Sequence, residues 1–282
     1  MSKTCAKRLI VNADDYGFSP GVTEGILQAH HGGIVTSTTL AANMPYAGEA
    51  VRRLSEAPCL GVGVHLNISQ GPALSDEARS ALAGPDGLMN RTAAGLIRDC
   101  LLNPRLLDAF EAEFDAQIRW ALDHGLKPTH LDTHRHTHAF APIFIRVARL
   151  ARRYSIPHVR RHREPAALLA RGVCVKQSCV SAAINVMARA NRLLGRGLCP
   201  TRGTWGVAAT GEINAPWLIL ALGMLKPGAT EIMTHPGVGD DLEPGATRLR
   251  QCRQNELDAL CDARVKEAVK RNEVELAHYG SM

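Results

Sequence analysis

A chain of 282 residues with 45% hydrophobic and 21% charged side chains is composed like a globular protein and can bury a sizeable core, which excludes the disordered and fibrous classes. Its net charge of +6 favours an anionic partner or surface, but an aromatic content of 4% argues against base-stacking nucleic-acid surfaces, and no nucleic-acid partner is expected. The eight cysteines form no CxxC pair and read as reduced thiols, the first apolar run (Leu9-Ile10-Val11) is too short for a signal peptide, and the longest (215–225) falls short of the roughly 20 residues that cross a bilayer, so a cytoplasmic protein is expected.

No Ser/Gly/Pro-rich or single-sign charged linker interrupts the chain, so 1–282 reads as one domain. The pattern predicts a strand over 9–13 that stops at Asp14-Asp15-Tyr16-Gly17, a helix opened by Ser19-Pro20-Gly21 and closed by Gly32-Gly33, and a strand over 34–40. That is a βαβ unit. A helix over 46–54 follows, then a strand over 60–64 that runs into His65-Leu66-Asn67. A long helix over 105–122 carries Leu106, Leu107, Phe110, Phe114, Ile118 and Leu122 on one face and leads through Gly125 to a strand at His130-Leu131-Asp132-Thr133-His134. A helix over 143–154, a strand over 157–161, a buried helix in 215–225 and a strand over 230–234 entering His235-Pro236-Gly237 complete the order. Such alternation predicts parallel strands covered by helices, and the C-terminal ends of barrel strands are where β/α enzymes gather their polar residues.

The most specific feature is the run from His130 to His138, in which His130, Asp132, His134, His136 and His138 occupy every second position. Alternate residues of a strand share a face, so a strand persisting into this run lines one pocket with imidazoles and a carboxylate, as a transition-metal site requires. Not all of them can be ligands, because a catalytic metal site commonly keeps three protein ligands and an open position, with other polar groups orienting them. Asp15 and His65, each at the end of another strand, are placed to complete a mixed N/O set. Of the neighbours Asp14 and Asp15, one suits the metal and the other suits proton acceptance from a water.

At these residues the sequence resembles the YdjC-like carbohydrate deacetylase family, including its glycolipid- and hopanoid-associated members. The family pattern is an N-A-D-D-[FY]-G opening, a glycine-flanked strand ending in His-Leu, an H-x-D-x-H-x-H-x-H run and a final motif, here Asn12 to Gly17, Gly63-Val64-His65-Leu66, His130 to His138 and Thr230-Glu231-Ile232-Met233-Thr234-His235-Pro236-Gly237. The resemblance implies an α/β fold, an irregular (β/α) barrel of the polysaccharide-deacetylase-like type. It also implies an activity: removal of acetyl from the amide nitrogen of an N-acetylated amino sugar, with one divalent ion, Mg or Zn, or else Mn or Co. Carried over by position, it makes Asp15, His65 and His134 the metal ligands, Asp14 the general base, His235 the general acid and Arg160 the residue that orients the base. The family commonly has three consecutive histidines where this chain has His134-Arg135-His136, which leaves His136 as the alternative to His134.

Between 165 and 211 there is no Asp or Glu, while Arg171, Lys176, Arg189, Arg192, Arg196 and Arg202 are present. A helix over 178–198 would place Val180, Ile184, Met187, Leu194 and Leu198 on one face and Arg189, Arg192 and Arg196 on the other. The segment 166–203 therefore reads as a basic amphipathic insertion, open to use as a surface helix, a lid, a homodimer contact or a peripheral contact with an anionic membrane or glycolipid at its inner face. Two rival functions stand beside the deacetylase. A metal-dependent phosphoesterase or sugar isomerase uses similar barrels, but no Walker-type glycine loop and no HxH at the first strand is present. A non-catalytic binder of anionic lipid would use the basic segment alone.

Overall fold

The computed structural model describes residues 6–170, 174–239, 241–242 and 247–282; Arg171, named above, lies outside the described residues. The strands in chain order are β1 Lys7–Tyr16, β2 Ser37–Leu40, β3 Gly61–Leu66, β4 Gln70–Pro72, β5 Leu88–Asn90, β6 His130–Thr133, β7 His158–Val159, β8 Thr204–Trp205, β9 Gly228–Thr234 and β10 Val274–Ala277. In β1 the successive residues Leu9, Ile10 and Val11 are all fully buried, the pattern of a parallel strand covered on both faces.

The main sheet runs β7-β6-β3-β2-β1-β9-β8 with every pair parallel. Its two ends meet where His162 bridges Thr204 and the Thr204 N–H donates to the Arg161 carbonyl at 2.9 Å. The sheet thus curls into an irregular barrel, the single-domain α/β architecture expected from the sequence. β1 is shared along its length: β10 pairs with Lys7 to Ile10, and β2 pairs from Asn12 onward. Outside the barrel, helix Pro20–Gly32 packs on Gln251–Cys261, Ala215–Met224 on Ala263–Arg271, and Leu106–Asp123 on Ala141–Arg153. β4 and β5 form a separate antiparallel hairpin.

Two glycines permit close approaches that position the strand ends. A Cβ on Gly25 would stand 2.4 Å from Gly237 Cα, so the first helix touches the turn after β9 directly, and a Cβ on Gly63 would stand 2.6 Å from the His130 ring.

Several elements depart from the sequence expectation. β1 does not stop at Ala13 but continues to Tyr16 through a register shift, with Asp15 at φ 73. The strand at His130 ends at Thr133, because Arg135 (φ 56) and His136 (φ 56) turn the chain through the left-handed region. The strand over 157–161 shrinks to His158–Val159. The helix over 178–198 divides into Val175–Met187 and Asn191–Leu194, since Asn191 turns inward to donate from Nδ2 to the His138 carbonyl at 2.8 Å. Ile184 and Leu198 are buried as expected, but Val180 and Leu194 are exposed. The helical stripe at 106–123 is buried at Leu107, Phe110, Phe114 and Ile118, and the same face also buries Glu113 and Gln117. Those two hold the loop after β3: Glu113 accepts from the Leu74 and Ser75 N–H groups, and Gln117 both donates to and accepts from the Asn67 backbone. Ala215–Met224 is the buried helix expected there. Among the described residues, no helix is long and apolar enough to cross a membrane.

Candidate active site

Five strand ends converge. β1 delivers Asp14 and Asp15, β3 delivers His65, β6 delivers Asp132 and the turn after it His134, the chain just beyond β7 delivers Arg160, and the chain just beyond β9 delivers His235. In a regular strand Asp14 and Asp15 would face opposite ways. The left-handed Asp15 lets both carboxylates reach the cleft, a conformation that costs about 1–3 kcal/mol and persists only where neighbours hold it.

Asp15 Oδ1, His65 Nε2 and His134 Nδ1 form a triangle with sides of 3.3, 3.4 and 3.4 Å. His65 Nδ1 is engaged with Asp132 Oδ1 at 2.8 Å, which leaves its Nε2 lone pair facing the triangle. Asp15 Oδ1 is buried without a hydrogen-bond partner. Three ligands at roughly 2.0–2.1 Å from a tetrahedral ion stand roughly 3.3–3.4 Å from one another, so the spacing of these atoms fits a metal. A second grouping, Asp14, His65 and Asp132, also lies close enough to share an ion. Its carboxylates, however, are already engaged by Arg160 and by His65 Nδ1.

Arg160 is the hub of the floor. It grips Asp14 with two parallel bonds of 2.8 and 2.7 Å, reaches Asp132 Oδ2 at 2.6 Å, and donates from Nε to Glu231 Oε1 at 2.9 Å. Arg253 Nη2 lies 2.5 Å from Asp15 Oδ2. The ion-paired floor therefore sets four carboxylates against two guanidiniums, a formal charge of −2 that a divalent cation would offset.

Titration follows the same geometry. Burial pushes the Asp14 carboxyl up, but the Arg160 charge and its bonds outweigh it and hold Asp14 well below the usual carboxylate range. Arg253 and His134 do the same for Asp15 against its own burial. For His65, burial is outweighed by Asp132, Asp14 and Asp15, which raise the imidazole to about 9; the triangle attracts positive charge. His235 goes the other way: burial lowers it to about 4 despite Asp15 and Asp14. Glu256 is raised by burial to about 7, although its oxygens accept the His235 and Gly211 N–H groups.

The histidine run does not share one face. His130 stacks on Tyr279 at 4.0 Å between centroids, His138 turns inward to Thr133 Oγ1 at 2.7 Å, and His136 faces the cleft against His162 without joining the triangle. His134 alone of the four meets Asp15 and His65. The cleft above them has a volume of about 500 Å³ and is lined by Asp14, His134 and His235 together with Lys176, Val180, Arg248 and others. Reading the sequence missed Arg253 and Glu256, which sit on a polar helix without any motif, and Glu231, whose charge inside the predicted strand over 230–234 was a usable signal.

Residues 8–271 match the family model described as YdjC-like protein. A carbohydrate deacetylase of Halalkalibacterium halodurans is 42% identical over 152 residues, 53% of this chain and 62% of the relative, so that match spans less than two thirds of the relative's length. A carbohydrate deacetylase of Oceanobacillus iheyensis is 32% identical over 264 residues, 93% of this chain and 100% of the relative. Among solved structures, a protein of Enterococcus faecalis V583 proposed to act in cellobiose-phosphate cleavage superposes with a TM-score of 0.76 at 25% identity, covering 98% of both chains. With the match running from the first strand into the last long helix, the chain belongs to the YdjC-like protein family.

Proposed function

We propose that the protein is a metal-dependent N-deacetylase that hydrolyses the acetamide C–N bond of an N-acetylated amino sugar, releasing acetate and a free amine. The observation that carries this reading is the triangle of Asp15 Oδ1, His65 Nε2 and His134 Nδ1, with sides of 3.3 to 3.4 Å, in the cleft that Asp14 and His235 also line. The names of the similar Halalkalibacterium and Oceanobacillus proteins support the chemistry. Asp15, His65 and His134 would hold a divalent ion; Mg and Zn both suit the donor types, as do Mn and Co, and the tetrahedral spacing favours Zn. Such an ion, when bound, polarises the acetamide carbonyl and acidifies a water.

The remaining steps belong to the chain's own side chains. Asp14, kept ionised and fixed in orientation by Arg160, accepts the proton of the attacking water at a carboxylate oxygen. His235 lines the same cleft and is neutral in the free site, so the proton it gives to the departing nitrogen is taken up during the reaction. Passage of one proton from Asp14 to His235 restores the site. The wall supplied by the 166–203 insertion brings Lys176, Gln177, Val180 and Ile184 to the substrate, a mixture of charge, amide and apolar groups that suits a chitooligosaccharide or a lipid-linked glycan. The same segment exposes Val175, Val186 and Leu193 as well as Arg189, Arg192 and Arg196, which supports peripheral contact with an anionic membrane or glycolipid in the cytoplasm.

The test is acetate release from a panel of N-acetylglucosamine oligomers and an N-acetylglucosaminyl lipid, with chelator and then with metal restored. Chelator-sensitive release from one class is expected. Folded, metal-loaded protein that releases nothing from any member removes the deacetylase reading.

A further inference from the structure

We infer that Arg253 and Glu256, one turn apart on helix Gln251–Cys261, are positioning residues: Arg253 aims Asp15 at the metal position, and Glu256 fixes the backbone that carries His235. The inference deepens the deacetylase reading and rests on its assignment of Asp15 and His235.

Both side chains are almost fully buried at 1% exposure. Arg253 Nη2 donates to Asp15 Oδ2 at 2.5 Å while its Nε donates to the Leu249 carbonyl at 3.0 Å, so the guanidinium is anchored on two sides. Because Oδ2 is committed to Arg253, only Oδ1 is presented to His65 and His134. Asp15 stands in left-handed backbone at φ 73, a conformation that persists only where neighbours such as Arg253 hold it. Glu256 Oε2 accepts the His235 N–H at 2.6 Å and Oε1 accepts the Gly211 N–H at 3.0 Å. The same helix is tied once more to the turn after β9, where the Gly237 N–H donates to the Arg253 carbonyl at 3.3 Å. One helix thus sets two strand ends, one for the metal and one for the proton.

Charge and positioning predict opposite outcomes, which makes the idea testable. On charge alone, removing a guanidinium beside the triangle would tighten cation binding. If Arg253 acts by holding Asp15 in place, its removal weakens binding. We would titrate the full chain with Co²⁺, followed by visible absorption, and measure kcat and KM for acetate release from an N-acetylglucosamine dimer, in the parent, Arg253→Met, Arg253→Lys and Glu256→Gln. Arg253→Met is expected to weaken Co²⁺ binding about 10- to 100-fold, the usual cost of losing a partner that orients a ligand. Arg253→Lys should recover part of it, because a compact ammonium replaces the charge but not the two-sided anchorage. Glu256→Gln should leave Co²⁺ affinity unchanged and lower kcat with KM unaltered. Equal or tighter Co²⁺ binding by both Arg253 variants overturns the inference, as does a Glu256→Gln that loses metal and turnover together. Should circular dichroism show Arg253→Met unfolded, Arg253→Lys decides that arm. A parent that binds no Co²⁺ overturns the metal reading itself, a result distinct from variants that bind like the parent.

Discussion

Arg160 is 0% exposed and bonded to three carboxylates, whereas Val175 and Leu193, in the segment that walls the same cleft, are 81% and 80% exposed. The floor is made of groups that cannot be moved or removed without leaving a buried charge unpaired. In the wall, water already reaches Lys176 and Val180, although Ile184 beside them is buried. On the proposed function, reaction chemistry would reside where geometry is over-determined, and substrate choice where side chains are replaceable at little cost to the fold.

That contrast can be broken or sharpened by experiment. The largest effect is expected from Asp14→Asn, which should lower kcat about 10²- to 10⁴-fold, the range for loss of a general base, while metal still binds. Stopped turnover together with lost metal would instead make Asp14 part of the metal site. Next, Arg160→Met leaves Asp14, Asp132 and Glu231 buried around a missing cation, and urea unfolding should show a loss of about 3–5 kcal/mol. An unchanged midpoint would mean that the floor is far less rigid than its burial implies.

A smaller effect concerns pH. Asp14 and Asp15 are depressed in the folded state, so the stability they contribute is present above the unfolded value of 3.8 and is lost as pH falls through their folded values. Glu256 runs the opposite way. Raised from 4.5 to about 7, it keeps a proton that the unfolded chain releases, so its contribution declines as pH rises through that window. Glu256→Gln should flatten the slope of unfolding free energy between those two values, and an unaltered slope would contradict the shift. The smallest effects belong to the wall: Lys176→Ala and Val180→Ser should change stability by no more than about 0.5 kcal/mol and act on KM rather than kcat. A large fall in melting temperature from either would erase the distinction between floor and wall.

Much of the barrel could be read from residues alone because each strand is an apolar run with a polar residue at its end, as in Leu9 to Asp15 or Val62 to His65. The departures have local causes. Nothing in a non-glycine pair announces that Arg135 and His136 will take left-handed backbone, yet that turn removes His136 and His138 from the face shared by Asp132 and His134. Asp132 was visible within the histidine run, but its bond to His65 depends on the β3–β6 register that sets the two side by side. Arg253 and Glu256 act on residues more than 200 and about 20 positions away respectively, across contacts that no periodicity encodes. The helix expected over 178–198 is interrupted because a buried amide, Asn191, finds two carbonyls, and that satisfaction outweighs continuing the stripe.

The irregularity in β1 reaches beyond this molecule. Strands obey parity: odd and even positions see different worlds, and adjacent residues do not ordinarily share a task. Between Ala13 and Tyr16 the chain breaks parity once, and the break lets consecutive positions reach the same cavity. Anyone transplanting this chemistry into another parallel barrel must therefore transplant the kink along with the acids. Two aspartates grafted onto a straight strand would put one of them on the wrong side of the wall.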